Sequence, residues 1–356
     1  MSKLNDKPEN HISITIFASW IGIISLAIYL LYIGKSIFLP LVLSIYITYL
    51  IKALASLIES FTIKKIKVPG FASLTLSIII LFSAIGILVQ VVAENISQIA
   101  SEAPNYQTKL QIFFNKFVDH AETLVGSPIT IAELNSQISF QAAILKLVGA
   151  LQGIAGSTFQ IFLYVAFLLL ESSTLHLKIR AFARNDLQEI KINKILKAIG
   201  SNIEKYIWIK TIMSIAVALL SYFILIIMKI DFAAFWALLI FILNYIPYIG
   251  SVMAVTFPVA ISLIQYNSLP QTGALILCLI ACQIFVGNIL EPRVAAKSLN
   301  LSPVVILLSL SLWGSVWGVT GMILSVPIMV MIMIILSEFE ITKPLAILMS
   351  QSGKIT

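Results

Sequence analysis

Apolar positions run on without interruption along most of this chain, where a soluble domain would break or alternate them. No Asp, Glu, Lys or Arg occurs between positions 232 and 290, and none between 298 and 337. A membrane crossing needs only about 20 such residues. Inside hydrocarbon every backbone N–H and C=O needs a partner within the protein, so a spanning segment is a helix or part of a closed barrel. Continuous runs select helices, because barrel strands would show shorter segments of alternating hydrophobicity. The pattern predicts an all-α polytopic membrane protein with about eight hydrophobic segments.

The first segment covers 12–33. It is longer than the apolar core of a secretion signal and no small-residue cleavage site follows, so it is expected to remain as a span. A turn at Gly34-Lys35-Ser36 leads to a second helix over 37–61. Lys64, Lys65 and Lys67 occupy the loop before a third span at 70–93. Residues 94–155 differ in kind. Five acids and three lysines give them a net charge of −2, and Leu110, Phe113, Phe114, Phe117, Ala121 and Leu124 recur at helical spacing. A fourth span follows at 156–170. Residues 171–210 carry eight basic and four acidic residues, with Ile192, Ile195, Ile199, Ile203 and Tyr206 as an apolar stripe. That stripe reads either as a basic amphipathic helix on an anionic leaflet or as a solvated helix leading into a fifth span at 208–228.

Charge sets the expected orientation. The net charge of +7 comes from basic residues clustered in short segments between spans, as cytoplasmic loops require, and that placement argues against nucleic acid as a partner. The loop at 64–67 and the segment 178–210 then belong inside, the N-terminus is cytoplasmic, and 94–155 lies outside. The expected organisation is a three-span region at 1–93 and an extracytoplasmic amphipathic segment at 94–155. A fourth span with a basic cytoplasmic segment follows at 156–210, then a nearly charge-free core at 211–336 and a cytoplasmic tail at 337–356. Lipid is an expected partner, and further copies of the chain are expected as another.

Candidate chemistry is sparse. Cys278 and Cys282 lie one helical turn apart with no His, Asp or Glu beside them, and read as two small buried hydrophobes. His11, His120 and His176 are far apart and form no ligand set, so no metal or cofactor is expected. The chain has no Gly-x-x-x-x-Gly-Lys-Ser/Thr run, no Gly-x-Ser-x-Gly and no paired Asp. An enzyme is therefore not expected, and energy for transport would come from a gradient or a separate subunit.

Two apolar runs are interrupted in the middle. Residues 232–266 would reach about 50 Å as one straight helix, beyond the roughly 30 Å of hydrocarbon. Asn244-Tyr245-Ile246-Pro247-Tyr248-Ile249-Gly250 sits at the centre of that run, where proline lacks an N–H and glycine permits a reversal. Residues 302–336 contain Trp313-Gly314-Ser315-Val316-Trp317-Gly318, with Gly321 close behind. Each run predicts a helical hairpin. Gly250 to Thr256 matches Gly314 to Thr320 at five of seven positions, which makes the pair a candidate for inverted repeats. Broken helices free backbone groups that can bind a polar solute.

These segments resemble a known family. Leu243 to Gly250 is similar to its Asn-aromatic-Ile-Pro-aromatic-Ile-Gly signature. Asn288-Ile289-Leu290-Glu291-Pro292-Arg293, followed by Lys297 to Pro303, resembles a second signature, with Ala296 where a Gly is expected. Trp313-Gly314 through Gly318, Gly321 and Ser325-Val326-Pro327 resembles a third. The family is that of the autoinducer-2 exporters, bacterial inner-membrane proteins. The resemblance implies a secondary transporter exporting a small polar solute, with a quorum-sensing furanone as one candidate. Related members assigned sodium/proton antiport make a cation or proton the second candidate; a scaffold is the weakest reading.

The solute path is expected at Asn244, Tyr245, Pro247, Tyr248, Gly250, Ser251, Trp313, Gly314, Ser315, Trp317 and Thr320. Pro247 and Gly314 are expected at the interruptions, and the two tips are expected to meet near the midplane. A polar gate or anchor is expected at Asn288, Glu291, Pro292, Arg293 and Lys297, with Pro292 ending its helix.

Overall fold

The computed structural model describes residues 14–60, 62–63, 66–125, 158–295 and 300–354. The chain is all-α and polytopic, and among the described residues six helices are long and apolar enough to cross a membrane, or seven when one bent pair is counted as a span. Helix α1 (Ile14–Ile33) turns at Gly34 into α2 (Lys35–Ser60). A two-residue ladder, β1 (Thr62–Ile63) against β2 (Ile66–Lys67), then leads to α3 (Gly70–Val125).

Helix α3 is continuous for 56 residues, about 84 Å at 1.5 Å per residue. The third span and the amphipathic stripe beyond it are therefore one helix, continuous through Pro104. The expected segment 94–155 lies outside the described residues from 126 onward. Beyond the apolar part of α3, Tyr106 donates to Asp231 Oδ2 at 2.7 Å. Burial, reinforced by this bond, pushes the Tyr106 hydroxyl well above its usual range, so it remains a donor.

Helices α4 (Thr158–Ser172) and α5 (Leu175–Phe182) meet at a bend of 64°. Helix α6 (Asp186–Ile227) then runs unbroken for 42 residues. Its start is capped by Asn185, whose side chain accepts from the Gln188 N–H at 2.8 Å, and Asp186 and Glu189 suit the positive end of the helix dipole. The basic stripe and the fifth span are thus a single helix, and it is the spine of the molecule. Its far half packs on α7 (Ala233–Leu243), α8 (Ile249–Tyr266) and α9 (Leu269–Ile284) around Val217, Leu225, Trp236, Ile240 and Leu275. Its first half packs on α2, α11 (Pro303–Ser337) and α12 (Lys343–Met349) around Ile203, Tyr206, Val330 and Ala346.

Helices α7 and α8 form the first hairpin. Tyr266 donates to the Met228 and Lys229 carbonyls at 2.8 and 2.7 Å, which closes the open end of this hairpin on the end of α6. Helix α11 is the second hairpin. Gly318, at φ 65° and ψ −145°, reverses it. Ser309 Oγ donates to the Ser325 carbonyl at 3.1 Å, and a Cβ on Gly321 would stand 1.9 Å from the Trp313 carbonyl oxygen, so the two arms run antiparallel. The open end of this hairpin lies by the start of α6, where Lys191 Nζ donates to the Glu338 carbonyl at 2.7 Å. The hairpins open at opposite ends of the bundle.

The expected break at Gly314 is corrected. Gly314 is helical, one turn before the reversal, and Gly318 makes the turn because φ and ψ there suit only glycine. The seven-residue match is also out of register with the geometry. Gly250 packs on the Leu243 carbonyl as Gly321 packs on that of Trp313, so Gly250 corresponds to Gly321 rather than Gly314. The expected tail is packed. Met349 accepts from the Ser302 N–H at 2.8 Å, Asn300 accepts from Gln351 and Ser352, and Ala346 is fully buried.

Candidate solute cavity

Helix α9 continues through a π-helical turn (Phe285–Leu290) into α10 (Glu291–Ala295). Pro292 has no N–H to give, and the wider turn just before it absorbs the mismatch, so the helix continues past the proline to Ala295 rather than ending at it. A π turn opens one extra position per turn, which re-aims its side chains, here that of Asn288, beside the bare backbone of Gly287.

This turn, the tip of the first hairpin and the middle of α6 enclose a cavity of about 610 Å³. Asn244, Pro247, Tyr248 and Ser251 line it from the tip, and Gln283, Asn288, Glu291 and Pro292 from α9 to α10. Tyr206 and Lys210 line it from α6, Ile306 and Val326 from α11, and Gln351 from the C-terminal segment. Across the wall Lys210 Nζ stands 2.6 Å from Glu291 Oε1, with side chains 11% and 26% exposed.

The tip is held to α6 one turn beyond that pair. Asn244 Nδ2 donates to Ser214 Oγ at 3.0 Å, and the Tyr245 hydroxyl lies 2.8 Å from Thr211 Oγ1. Tyr248 has φ 60° and ψ −59°, and the Ile249 N–H reaches the Pro247 carbonyl at 2.6 Å. This is a strained γ-turn on a non-glycine residue, of the kind that folds keep mainly at working sites. Gly250 does not line the cavity; it allows the two arms to touch.

The second tip faces elsewhere. Trp313 and Trp317, with rings 5.0 Å apart, are buried against α1 and α2, and Trp317 Nε1 donates to the Leu31 carbonyl at 3.1 Å. They line a separate, apolar cavity of about 210 Å³. Ser315 is exposed and bonds back to the Ser311 carbonyl at 2.8 Å, Thr320 is half-buried, and neither lines either cavity. Gly314 packs on Met322. Arg293 is exposed and away from the large cavity, and Lys297 lies outside the described residues. The structure thus joins the first tip to Asn288, Glu291 and Pro292, while the second hairpin reaches that cavity only through Ile306 and Val326.

Sequence reasoning missed Lys210, Tyr206, Thr211, Ser214, Gln283 and Gln351. Lys210 carried a signal: it closes the basic run inside the apolar context Trp208-Ile209-Lys210-Thr211-Ile212. Such a lysine needs a partner, and Glu291 is the acid on the facing helix. Cys282 is buried beside Ser221, whereas Cys278 is exposed, contrary to the expectation for both. Among the described residues no cluster of three or more His, Cys, Asp or Glu is placed to hold a metal.

Comparison with known proteins agrees with this architecture. The chain is 28% identical to the AI-2 transport protein TqsA of Escherichia coli over 324 residues, covering 90% of this chain and 91% of that one. A relative in Borreliella burgdorferi is 28% identical over 323 residues, with 90% and 86% covered. YhhT of Escherichia coli is 30% identical over 264 residues, with 72% and 73% covered. The sequence model of the AI-2E transporters matches residues 21–341, and the chain is a multi-pass membrane protein that belongs to the AI-2E transporter family.

Proposed function

We propose that this protein is a secondary transporter, not an enzyme. It exports a small polar solute across a bacterial inner membrane, and the cavity of about 610 Å³ is its solute site. One observation carries the reading: a strained hairpin tip, a π turn and a largely buried ion pair meet around one cavity. Two hairpins opening at opposite ends supply the broken elements that alternating access uses. The name of TqsA makes AI-2 the first solute to test here.

The Lys210–Glu291 pair favours a second reading, exchange of sodium for protons, since a carboxylate in a cavity wall can trade a proton for a cation. Purified protein in proteoliposomes separates the two. Furanone-dependent counterflow of labelled AI-2 is the expected result. A sodium-driven pH change without counterflow would favour antiport, and neither flux would refute both.

The basic end of the bundle is proposed to face the cytoplasm. Asn115 and Asn193, both exposed, are the probes. Single cysteines at these positions, in a background lacking Cys278 and Cys282, should react with an impermeant maleimide from opposite sides of the membrane. Labelling of both from one side would refute the assignment.

A further inference from the structure

We infer that the space between the second hairpin and α2 is a binding site for a small neutral molecule with an acceptor oxygen and an apolar face. Among the described residues, three buried side-chain polar atoms have no hydrogen-bond partner: Tyr46 Oη, Tyr206 Oη and Trp313 Nε1. They are not scattered. Tyr46 and Trp313 line the cavity of about 210 Å³. Tyr46 also packs into the cluster that holds Tyr206, and Tyr206 lines the large cavity on the other side. So α2 and the second hairpin each supply one unmet donor to the smaller cavity, and the third, on α6, lies between that cavity and the large one.

A buried donor without an acceptor costs about 1–3 kcal/mol, and native folds keep few of them. Crowding of aromatic rings does not explain these three. Their neighbours Trp317 and Tyr245 have partners, at 3.1 Å from the Leu31 carbonyl and 2.8 Å from Thr211 Oγ1. The missing acceptors therefore belong to something outside the chain.

The walls define its chemistry. Among the described residues no Asp, Glu, Lys, Arg or His lines the smaller cavity, so an ion would lose its hydration there without a counter-charge. The ligand is neutral. An indole N–H donates and never accepts, so the ligand offers an oxygen to it. The remaining walls, Leu31, Val42, Ile328 and Met331 among them, together with the indole faces, suit an apolar ring. A lone water is a poor occupant, because only the Tyr46 and Tyr49 hydroxyls could accept its hydrogens and the rest of the wall is apolar. The site stands apart from the large cavity and holds whether or not its ligand is the transported solute.

N-methylpyrrolidone tests this on the full-length protein in detergent: a neutral five-membered ring with one carbonyl acceptor and no donor. Pyrrolidinium, the same ring as a charged donor, is the control. Millimolar N-methylpyrrolidone should raise Tm saturably and shift tryptophan emission, and pyrrolidinium should do neither. Tyr46→Phe and Trp313→Phe should each weaken the response by roughly three- to tenfold. Tyr46→Phe without ligand should leave Tm unchanged or higher, because an unmet hydroxyl is removed. A lower Tm in ligand-free Tyr46→Phe would show that the hydroxyl has a partner and overturn the site. An undiminished response in both variants, or no saturable response in the native protein, would overturn it equally.

Discussion

Gly321→Ala is expected to remove most of the folded protein, and Gly250→Ala to do the same, whereas Gly314→Ala and Gly273→Ala stay folded. A Cβ on Gly321 would lie 1.9 Å from the Trp313 carbonyl oxygen, and one on Gly250 would lie 1.8 Å from that of Leu243. In both cases the obstacle is backbone, so relief requires the two arms of a hairpin to part by more than an ångström. Overpacking of this kind costs about 3 kcal/mol or more, out of a total stability of roughly 5–15 kcal/mol. On Gly314 the new atom would meet Met322 Cε at 2.8 Å, the free end of a flexible side chain, and the cost should stay near 1 kcal/mol. Gly273 has nothing within 4 Å, and alanine favours the helix by about 1 kcal/mol there. Yield of monodisperse protein and Tm in detergent measure the series. Equal behaviour of all four variants would mean that neither tip is closed as described.

Both hairpins were legible because their apolar runs are too long for one crossing and carry breakers at mid-run. Which glycine turns the second hairpin was not legible. Gly314, Gly318 and Gly321 all permit a reversal, and the choice of Gly318 depends on how the arms then pair, with Gly321 needed for contact and Gly314 left in the helix. Pro292 misled for a related reason. Proline normally ends a helix, but the π turn before it shifts the hydrogen-bond register and carries the helix on to Ala295.

Charge composition suggested boundaries near 93 and 208, and the helices ignore both. Leaving the bilayer changes which side chains are favoured but does not interrupt i to i−4 bonding, so α3 and α6 pass through. The C-terminal segment was read as a tail because it follows the last apolar run. Its anchors, Asn300 and Ser302, lie in a part of the chain whose position depends on the second hairpin. The large cavity was half legible. Its tip and π-turn residues fall in recognisable motifs, but Lys210 is brought to Glu291 only by packing of α6 against α10.

Removing either charge of that pair is expected to reduce transport at least tenfold, and removing both is expected to restore stability without restoring transport. The 2.6 Å contact joins side chains only 11% and 26% exposed, so a lone survivor would be left poorly solvated in the cavity wall. The cost should fall between that of an exposed pair and that of a fully buried one, about 1–3 kcal/mol for Glu291→Gln or Lys210→Met alone. In the double variant no charge is stranded, and Tm should return towards the native value. Transport separates the roles of the pair. If it only anchors α10 to α6, the double variant regains activity together with Tm. If the charges work on the solute or a coupled proton, activity stays low at native stability and normal membrane levels. The geometry favours the second outcome, because both side chains line the cavity alongside Asn244, Asn288 and Gln283 rather than filling a dry interface. Counterflow in proteoliposomes, measured beside Tm for the two single variants and the double, decides it, and native-level transport by the double variant would reduce the pair to a structural tie.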